Sequence, residues 1–335
     1  MKAALLERVR EPLAVTEEPA PAVGPDDVLV RVHACGVCHA DLHIADGMLE
    51  AQGVPLPLLL GHEVAGVVSE VGSEVTHPRP GDRVGMYFQF NCGHCRYCLA
   101  GEEEVCGARR MAGFGGAPGG YAEYIVLPAA NALPLPEGLD FVDAAPLFCA
   151  GLTMFGALKN GGVRPGQRVA VLGIGGLRHL GLALARAMGA EVVALTSSKS
   201  KADLARQLGA HEVIAGDGMG QRLLQMGGAD VIVSTTIDSG AVAQALQGLA
   251  PLGTLVLTGA TMDPLPVIPG LLLFQQQRVI GSTIGSRGDM MELLQFVTAT
   301  GIRPMTETYA LDEVNAAHAR VRANEIRFRA VLTMV

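Results

Sequence analysis

Tryptophan is absent from this chain, and aromatic residues of all kinds make up only 4% of it. With so few rings there is little material for the aromatic–basic interleaving that grips nucleic acid, and no basic run stands in for it. A net charge of −8 also works against a phosphate backbone. A long apolar run is missing too. The best stretch, around residues 169 to 195, is broken by Arg178, His179, Arg186 and Glu191, short of the ~18 uncharged residues a bilayer span needs. The opening MKAALLERVREPLAV carries Glu7, Arg8, Arg10 and Glu11 where a secretory signal needs apolar residues. The expectation is a cytoplasmic protein with no membrane and no nucleic-acid partner. Internal repeats and low-complexity segments are also lacking: 43 glycines and 19 prolines are dispersed and mark tight turns.

What the chain does have is apolar bulk. Its 335 residues are 49% hydrophobic, ample for two packed cores. The first third consists of short apolar runs broken by Gly and Pro, such as DVLVRVHACG and HEVAGVVSEVG, which predicts a β-rich region. From about Val169 strands alternate with helical patterns (RVAVLGIGG, LALARAMGA, EVVALT, ADLARQLGA), which predicts a doubly wound parallel sheet. Near Arg287 the texture changes again to two helices and a final strand, RAVLTMV. The predicted class is therefore α/β, with a β-rich domain formed by residues 1–150 and 287–335 and a parallel-sheet domain at 151–286.

Seven cysteines remain to be explained: 35, 38, 92, 95, 98, 106 and 149. Cys92, Cys95, Cys98 and Cys106 follow C-x2-C-x2-C-x7-C, and closely spaced thiolates on a turn can close a tetrahedron around Zn²⁺. Four protein ligands leave no open coordination position, so such a zinc would be structural. Two disulfides and an iron–sulfur cluster are the other readings. Cytoplasmic residence and the lack of a second cluster motif favour zinc. The acidic GEEE inside this stretch is expected on the solvent side.

The other site is scattered. CGVCHADLH supplies Cys38, GHEVAG supplies His62 and Glu63, and AAPLFCAGLT supplies Cys149. Singly these read as packed thiols and a core histidine. Together they match a Cys2His zinc site with one position left open. With these motifs, the cysteine lobe, GGYAEYIV and VLGIGGLRHLG in this order, the chain resembles the zinc-dependent medium-chain alcohol dehydrogenases over essentially its whole length. Its bacterial and cinnamyl-type branches are the most similar.

That resemblance implies a GroES-like catalytic domain beside a Rossmann cofactor domain. It also implies Cys38, His62 and Cys149 as catalytic zinc ligands, with Glu63 the carboxylate close to the metal. Asp41 would orient His62, as a carboxylate beside a metal-bound imidazole does. His43 would end a proton relay, or be a plain surface histidine. His39 and Arg329 match pyrophosphate contacts, and Thr153 matches a nicotinamide contact. Tyr87 and Phe88 are either pocket walls or core. Cys35 is either a packed thiol or the partner of Cys38 in a redox pair. Subunits of the family join through the strand RVIGSTIGS, which implies a homodimer or homotetramer.

Two positions depart from the family pattern. The residue after CGVCH is normally Ser or Thr, whose hydroxyl starts the relay; here it is Ala40, and about 10²–10⁴-fold of acid–base catalysis is at stake. In the cofactor loop, Gly173, Gly175 and Gly176 suit a turn that lets the pyrophosphate approach a helix N-terminus, but Arg178 replaces the third glycine of the fingerprint. At the end of the second strand, Thr196 stands where NAD-binding domains carry an acid. Ser197, Ser198 and Lys199 follow, and they suit a 2′-phosphate as well as an ordinary polar turn. NADP(H) is expected over NAD(H). The expected enzyme interconverts alcohols with aldehydes or ketones, using two zinc ions per chain. Ala40 and Arg178 leave two alternatives: a reductase of enal or iminium substrates, and a low-activity cofactor-binding or redox-sensing homologue.

Overall fold

A computed structural model describes residues 1–173, 175–198 and 202–334; the side chain of Arg178 is outside that description. The chain forms two compact units, Met1–Ala150 with Ser286–Val335, and Gly151–Gly285. Ser286 goes with the first unit, one residue earlier than the expected division. The reason is local: its hydroxyl accepts the Asp289 amide and caps the helix Arg287–Thr300.

In the first unit a seven-stranded sheet is built around the strand Asp27–Val37. This strand pairs antiparallel with Glu63–Val71, Tyr124–Pro128 and Arg329–Thr333. Arg329–Thr333 continues parallel to Thr306–Ala310. The central strand is buried along most of its length, as its near-continuous run of apolar residues requires. It ends at Val37, and Cys38 opens the short helix His39–Ala45, where the Asp41 carboxylate accepts the Cys38 amide at 2.9 Å.

The second unit holds six parallel strands in the order Glu212–Ala215, Glu191–Thr196, Arg168–Leu172, Ala229–Ser234, Leu249–Leu257, Arg278–Gly281. Counted along the chain this is 3-2-1-4-5-6, the arrangement of doubly wound dinucleotide-binding folds. Leu172, Val193, Leu195, Ile232, Leu246 and Leu255 form much of its core. The helix Arg178–Ala187 packs against the helix Ala150–Asn160. Its close approach is at Gly181, where a Cβ would stand 2.3 Å from Met154 Cε. Among the described residues no single helix is long and apolar enough to cross a membrane.

Candidate active site

Sheet register assembles the first cluster. Gly36 lies opposite Glu63 on one side and Val331 on the other, so three strand ends converge where the chain leaves Val37. Cys38 follows that end, His62 precedes Glu63, and Arg329 opens its own strand. Cys149 follows the short 3₁₀ segment Ala145–Phe148. Ligand-type atoms of Cys38, His62, Glu63 and Cys149 all lie within 4.8 Å of one another.

Two of these atoms are orphaned. His62 is fully buried; its Nδ1 sits 3.2 Å from Asp41 Oδ1, and its Nε2 has no hydrogen-bond partner. Glu63 pairs one carboxylate oxygen with the Arg329 guanidinium, and the other oxygen is buried without a partner. Buried polar atoms left unpaired cost about 1–3 kcal/mol each, so such a pair in one place points to a missing ligand. The two thiols are free, with Cys38 and Cys149 Sγ 4.0 Å apart. Sulfurs on a tetrahedral zinc at about 2.3 Å would be roughly 3.8 Å apart, so the donor set fits that ion.

The buried groups also act strongly on one another. A hydrogen bond from Cys149 holds the Cys38 thiol well below its usual range against burial, with His62 adding to the effect. The same bond and burial push Cys149 up. Burial pushes Glu63 up to about 7 against the pull of Arg329. Burial lowers the His62 pKa, but Asp41 and Cys38 outweigh it and raise it well above the ordinary value. Burial alone would raise Asp41, yet His62 and the Cys38 amide keep it below its ordinary value and ionised.

Two glycines make room for the cluster. A Cβ on Gly36 would fall 1.9 Å from Glu63 Oε2. Gly61 has φ +89°, and a Cβ there would fall 2.3 Å from the Tyr121 ring.

The remaining expected residues are placed as follows. Cys35 is buried in the central strand with its thiol 3.8 Å from the Gly36 carbonyl, a packed thiol. His39 and His43 are both exposed on one helix, their rings 6.5 Å apart. The Arg329 guanidinium is buried and engaged with Glu63. Phe88 packs its ring 4.9 Å from that of His62, while Tyr87 is core, its amide bonded to the Asn131 carbonyl.

In the second unit Thr153 is buried on the helix Ala150–Asn160. Gly173 has φ +98° directly after its strand, Gly175 and Gly176 form the following turn, and Gly176 presents its carbonyl 2.7 Å from His179 Nδ1. Thr196 is buried with its hydroxyl accepting the Ser198 amide at 3.2 Å, and Ser197 is exposed. Lys199 lies outside the described residues.

The four-cysteine lobe is local and partly exposed. The Cys92–Cys98, Cys95–Cys98 and Cys92–Cys106 sulfur separations are 3.9, 3.5 and 3.6 Å. These are too long for disulfides and close enough for one shared ion. One expectation fails here. GEEE does not lie wholly in solvent: Glu103 is buried and accepts the Arg287 amide at 2.8 Å and its Nε at 3.0 Å, tying the lobe to the helix Arg287–Thr300. A buried carboxylate with a fixed cationic partner is stable where an unpaired one would not be.

Sequence reasoning missed three residues. Phe114 places its ring 4.9 Å from His62, stacked beside Phe88 with centroids 5.8 Å apart. Tyr121 and His318 extend the hydrogen bonds behind Asp41. Each sat in a segment that reads as ordinary strand, loop or helix.

Comparison with known proteins now decides the family. Residues 24–137 match the alcohol dehydrogenase GroES-like domain, and residues 173–299 match the zinc-binding dehydrogenase domain. The chain is 40% identical over 336 residues to an alcohol dehydrogenase of Geobacillus stearothermophilus, covering 99% of each. The chain belongs to the zinc-dependent alcohol dehydrogenases. It is thus an oxidoreductase of the class that interconverts alcohols and carbonyl compounds. This dehydrogenase is also 38% identical to the NADP-dependent alcohol dehydrogenase C 1 of Mycolicibacterium smegmatis, over 96% of this chain and 94% of that protein. Among solved structures, an NAD-dependent alcohol dehydrogenase superposes with a TM-score of 0.92 at 29% identity, covering 100% of both chains.

Proposed function

We propose that this dehydrogenase transfers hydride between a nicotinamide cofactor, NADP(H) in preference to NAD(H), and a small alcohol or aldehyde, at a zinc held by Cys38, His62 and Cys149 with Glu63 beside them. A second, structural zinc is held by Cys92, Cys95, Cys98 and Cys106. The observation that carries this reading is the His62 imidazole: Nδ1 is bound to Asp41, while Nε2 is buried, bare and clustered with two thiols.

A zinc ion there would supply Lewis acidity to an alcohol or carbonyl oxygen, and a nicotinamide would take or give the hydride. The protein's own groups prepare for that. Asp41 holds the Nδ1 side of His62, so a metal taking the place of the second ring proton would meet the lone pair of Nε2. Two thiolates and a neutral imidazole balance a dication, which gives no excess charge to hold a carboxylate substrate and suits neutral alcohols and aldehydes. Arg329 neutralises Glu63, and Phe88 and Phe114, stacked on each other, pack apolar rings against the imidazole. Ala40 offers no hydroxyl to receive the substrate proton, so water has to carry it out.

The cofactor preference is supported by Thr196 in place of an acid, with Ser197 exposed beside it. Association into a homodimer or homotetramer, and residence in the cytoplasm, belong to the same proposal. The edge strand Arg278–Gly281 follows a helix whose Leu273 and Phe274 are 71% and 82% exposed, an apolar face suited to a second copy.

The test is metal content together with turnover. We expect two zinc ions per purified chain, and aldehyde reduction that NADPH supports better than NADH. One zinc per chain with the cysteine lobe filled, or no turnover with both sites filled, overturns the proposal.

A further inference from the structure

The hydrogen bonds around His62 do not stop at Asp41. That carboxylate can accept about four hydrogen bonds, and all four places are taken. Oδ1 receives Gly61 N at 3.1 Å and His62 Nδ1 at 3.2 Å, and Oδ2 receives Cys38 N at 2.9 Å and the Tyr121 hydroxyl at 3.0 Å. An ionised carboxylate donates nothing, so the one proton of Tyr121 is committed to Asp41. His318 Nε2, 3.4 Å from the same phenol oxygen, must then be the donor. Its ring meets Tyr121 edge-on, with centroids 5.7 Å apart and planes at 67°.

Each member is held independently of the others. Tyr121 is fully buried, its amide bonded to the Leu60 carbonyl and its own carbonyl to the Ala4 amide. Gly61 leaves room for its ring, as described above. His318 is buried on the helix Val314–Arg322. Beyond it lies a cavity of about 360 Å³ bordered by Asn315, Asp46 and Arg322. The charges there are already paired: Arg322 bonds Asp46 at 2.7 Å, and Asn315 bonds the Leu13 backbone. The direction of donation is therefore fixed along the row, from His318 to Tyr121 to Asp41, with His62 donating to Asp41 from the far side.

We propose that Tyr121 and His318 are positioning residues for His62: they hold the Asp41 carboxylate in the one orientation that keeps the histidine proton on Nδ1 and turns Nε2 toward Cys38 and Cys149. The inference rests on the zinc reading above and deepens it. Neither residue touches the cluster. Their effect passes through Asp41, and hydrogen bonds in series strengthen one another in a dry interior.

Metal release tests this without any turnover measurement. The zinc-loaded protein is mixed with excess chelator and a zinc-sensing dye, and the two sites are followed as separate phases. Partners one layer beyond a metal's ligands are typically worth about 10–100-fold in metal affinity. Asp41 is that layer and Tyr121 acts through it, so Tyr121→Phe, which removes only the hydroxyl, is expected to speed release from the His62 site by about threefold, with the cysteine-lobe phase unchanged. His318→Phe is expected to speed the same phase by a smaller factor. His318→Gln, which keeps an N–H donor and has the neighbouring cavity to settle into, is expected to return it toward the wild-type rate. The unchanged lobe phase reports that each variant is folded. With cobalt in place of zinc, Tyr121→Phe should also shift the visible absorption of the ion at His62. Two metals in the wild type with identical release from all variants overturns the positioning role and leaves the proposed function standing. A wild type that loads only the cysteine lobe overturns both.

Discussion

The two cysteine clusters of this dehydrogenase are built on opposite plans. Cys92, Cys95, Cys98 and Cys106 come from one short stretch, three of them partly exposed, and show sulfur separations of 3.5–3.9 Å in a lobe whose base is closed by the local pairing of Gln89–Phe90 with Arg110–Met111. Cys38, His62 and Cys149 come from separate segments: strand register brings the first two together, and the 3₁₀ segment Ala145–Phe148 delivers the third. The first cluster is surrounded by backbone amides and solvent. The second sits in a shell of fixed donors, with orphaned atoms turned inward. The contrast fits the division of roles proposed for them. A local tetrathiolate can be closed around an ion and left alone, whereas a site that must keep a coordination position for substrate needs a rigid, dry frame to hold three ligands apart.

The assignment of catalysis to one cluster and stability to the other can be broken by substitution. The largest effect is expected from His62→Ala. Losing several kcal/mol of transition-state stabilisation corresponds to a fall in kcat/KM on the order of 10³-fold or more. Metal analysis should then find one zinc per chain; loss of both metals would mean that the clusters are not independent. Cys98→Ser should do the reverse. We expect stability to drop by about 4 kcal/mol, in the range seen when a structural metal is lost, with kcat/KM little changed. Thermal unfolding and steady-state kinetics on one preparation decide it, and an unmoved melting point with turnover gone would exchange the two roles.

Smaller effects sharpen the picture of the buried site. Ala40→Thr supplies a hydroxyl where there is now a methyl, and alcohol oxidation should rise on the order of 10²-fold. An unchanged rate would show that water already carries the proton as well as a side chain could. Asp41→Asn removes the charge behind His62, and metal affinity measured by chelator competition should fall about 10–100-fold. Gly36→Ala is expected to be the mildest. A Cβ 1.9 Å from Glu63 Oε2 forces the carboxylate aside, at roughly 1–3 kcal/mol in a denaturant titration.

The same contrast governs what could be read from sequence. The cysteine lobe was legible because its ligands are contiguous and their spacing is its geometry. The parallel sheet was legible because strand and helix periods alternate plainly from Val169 onward. The buried cluster was legible only through several motifs taken together, since Cys149 alone looks like any small core residue. Tyr121 and His318 were not legible at all. One sits in GGYAEYIV, which reads as an apolar strand approach, and the other in a helix with ordinary amphipathic spacing. Their partnership exists only once that helix packs beside the sheet. Glu103 misled for a related reason: three successive glutamates look solvated, and the cation that buries the middle one, Arg287, is 184 residues away.

Cys38 follows the last residue of a strand, caps a helix, and offers its sulfur to the buried cluster. Any event at that sulfur is therefore felt at the junction between extended and coiled backbone. The Cys38 amide hydrogen, held by Asp41, becomes a native gauge of occupancy. Its deuterium uptake should slow when the pocket is filled and quicken when it is emptied, and the enzyme's state could be followed in a crude sample without a single turnover.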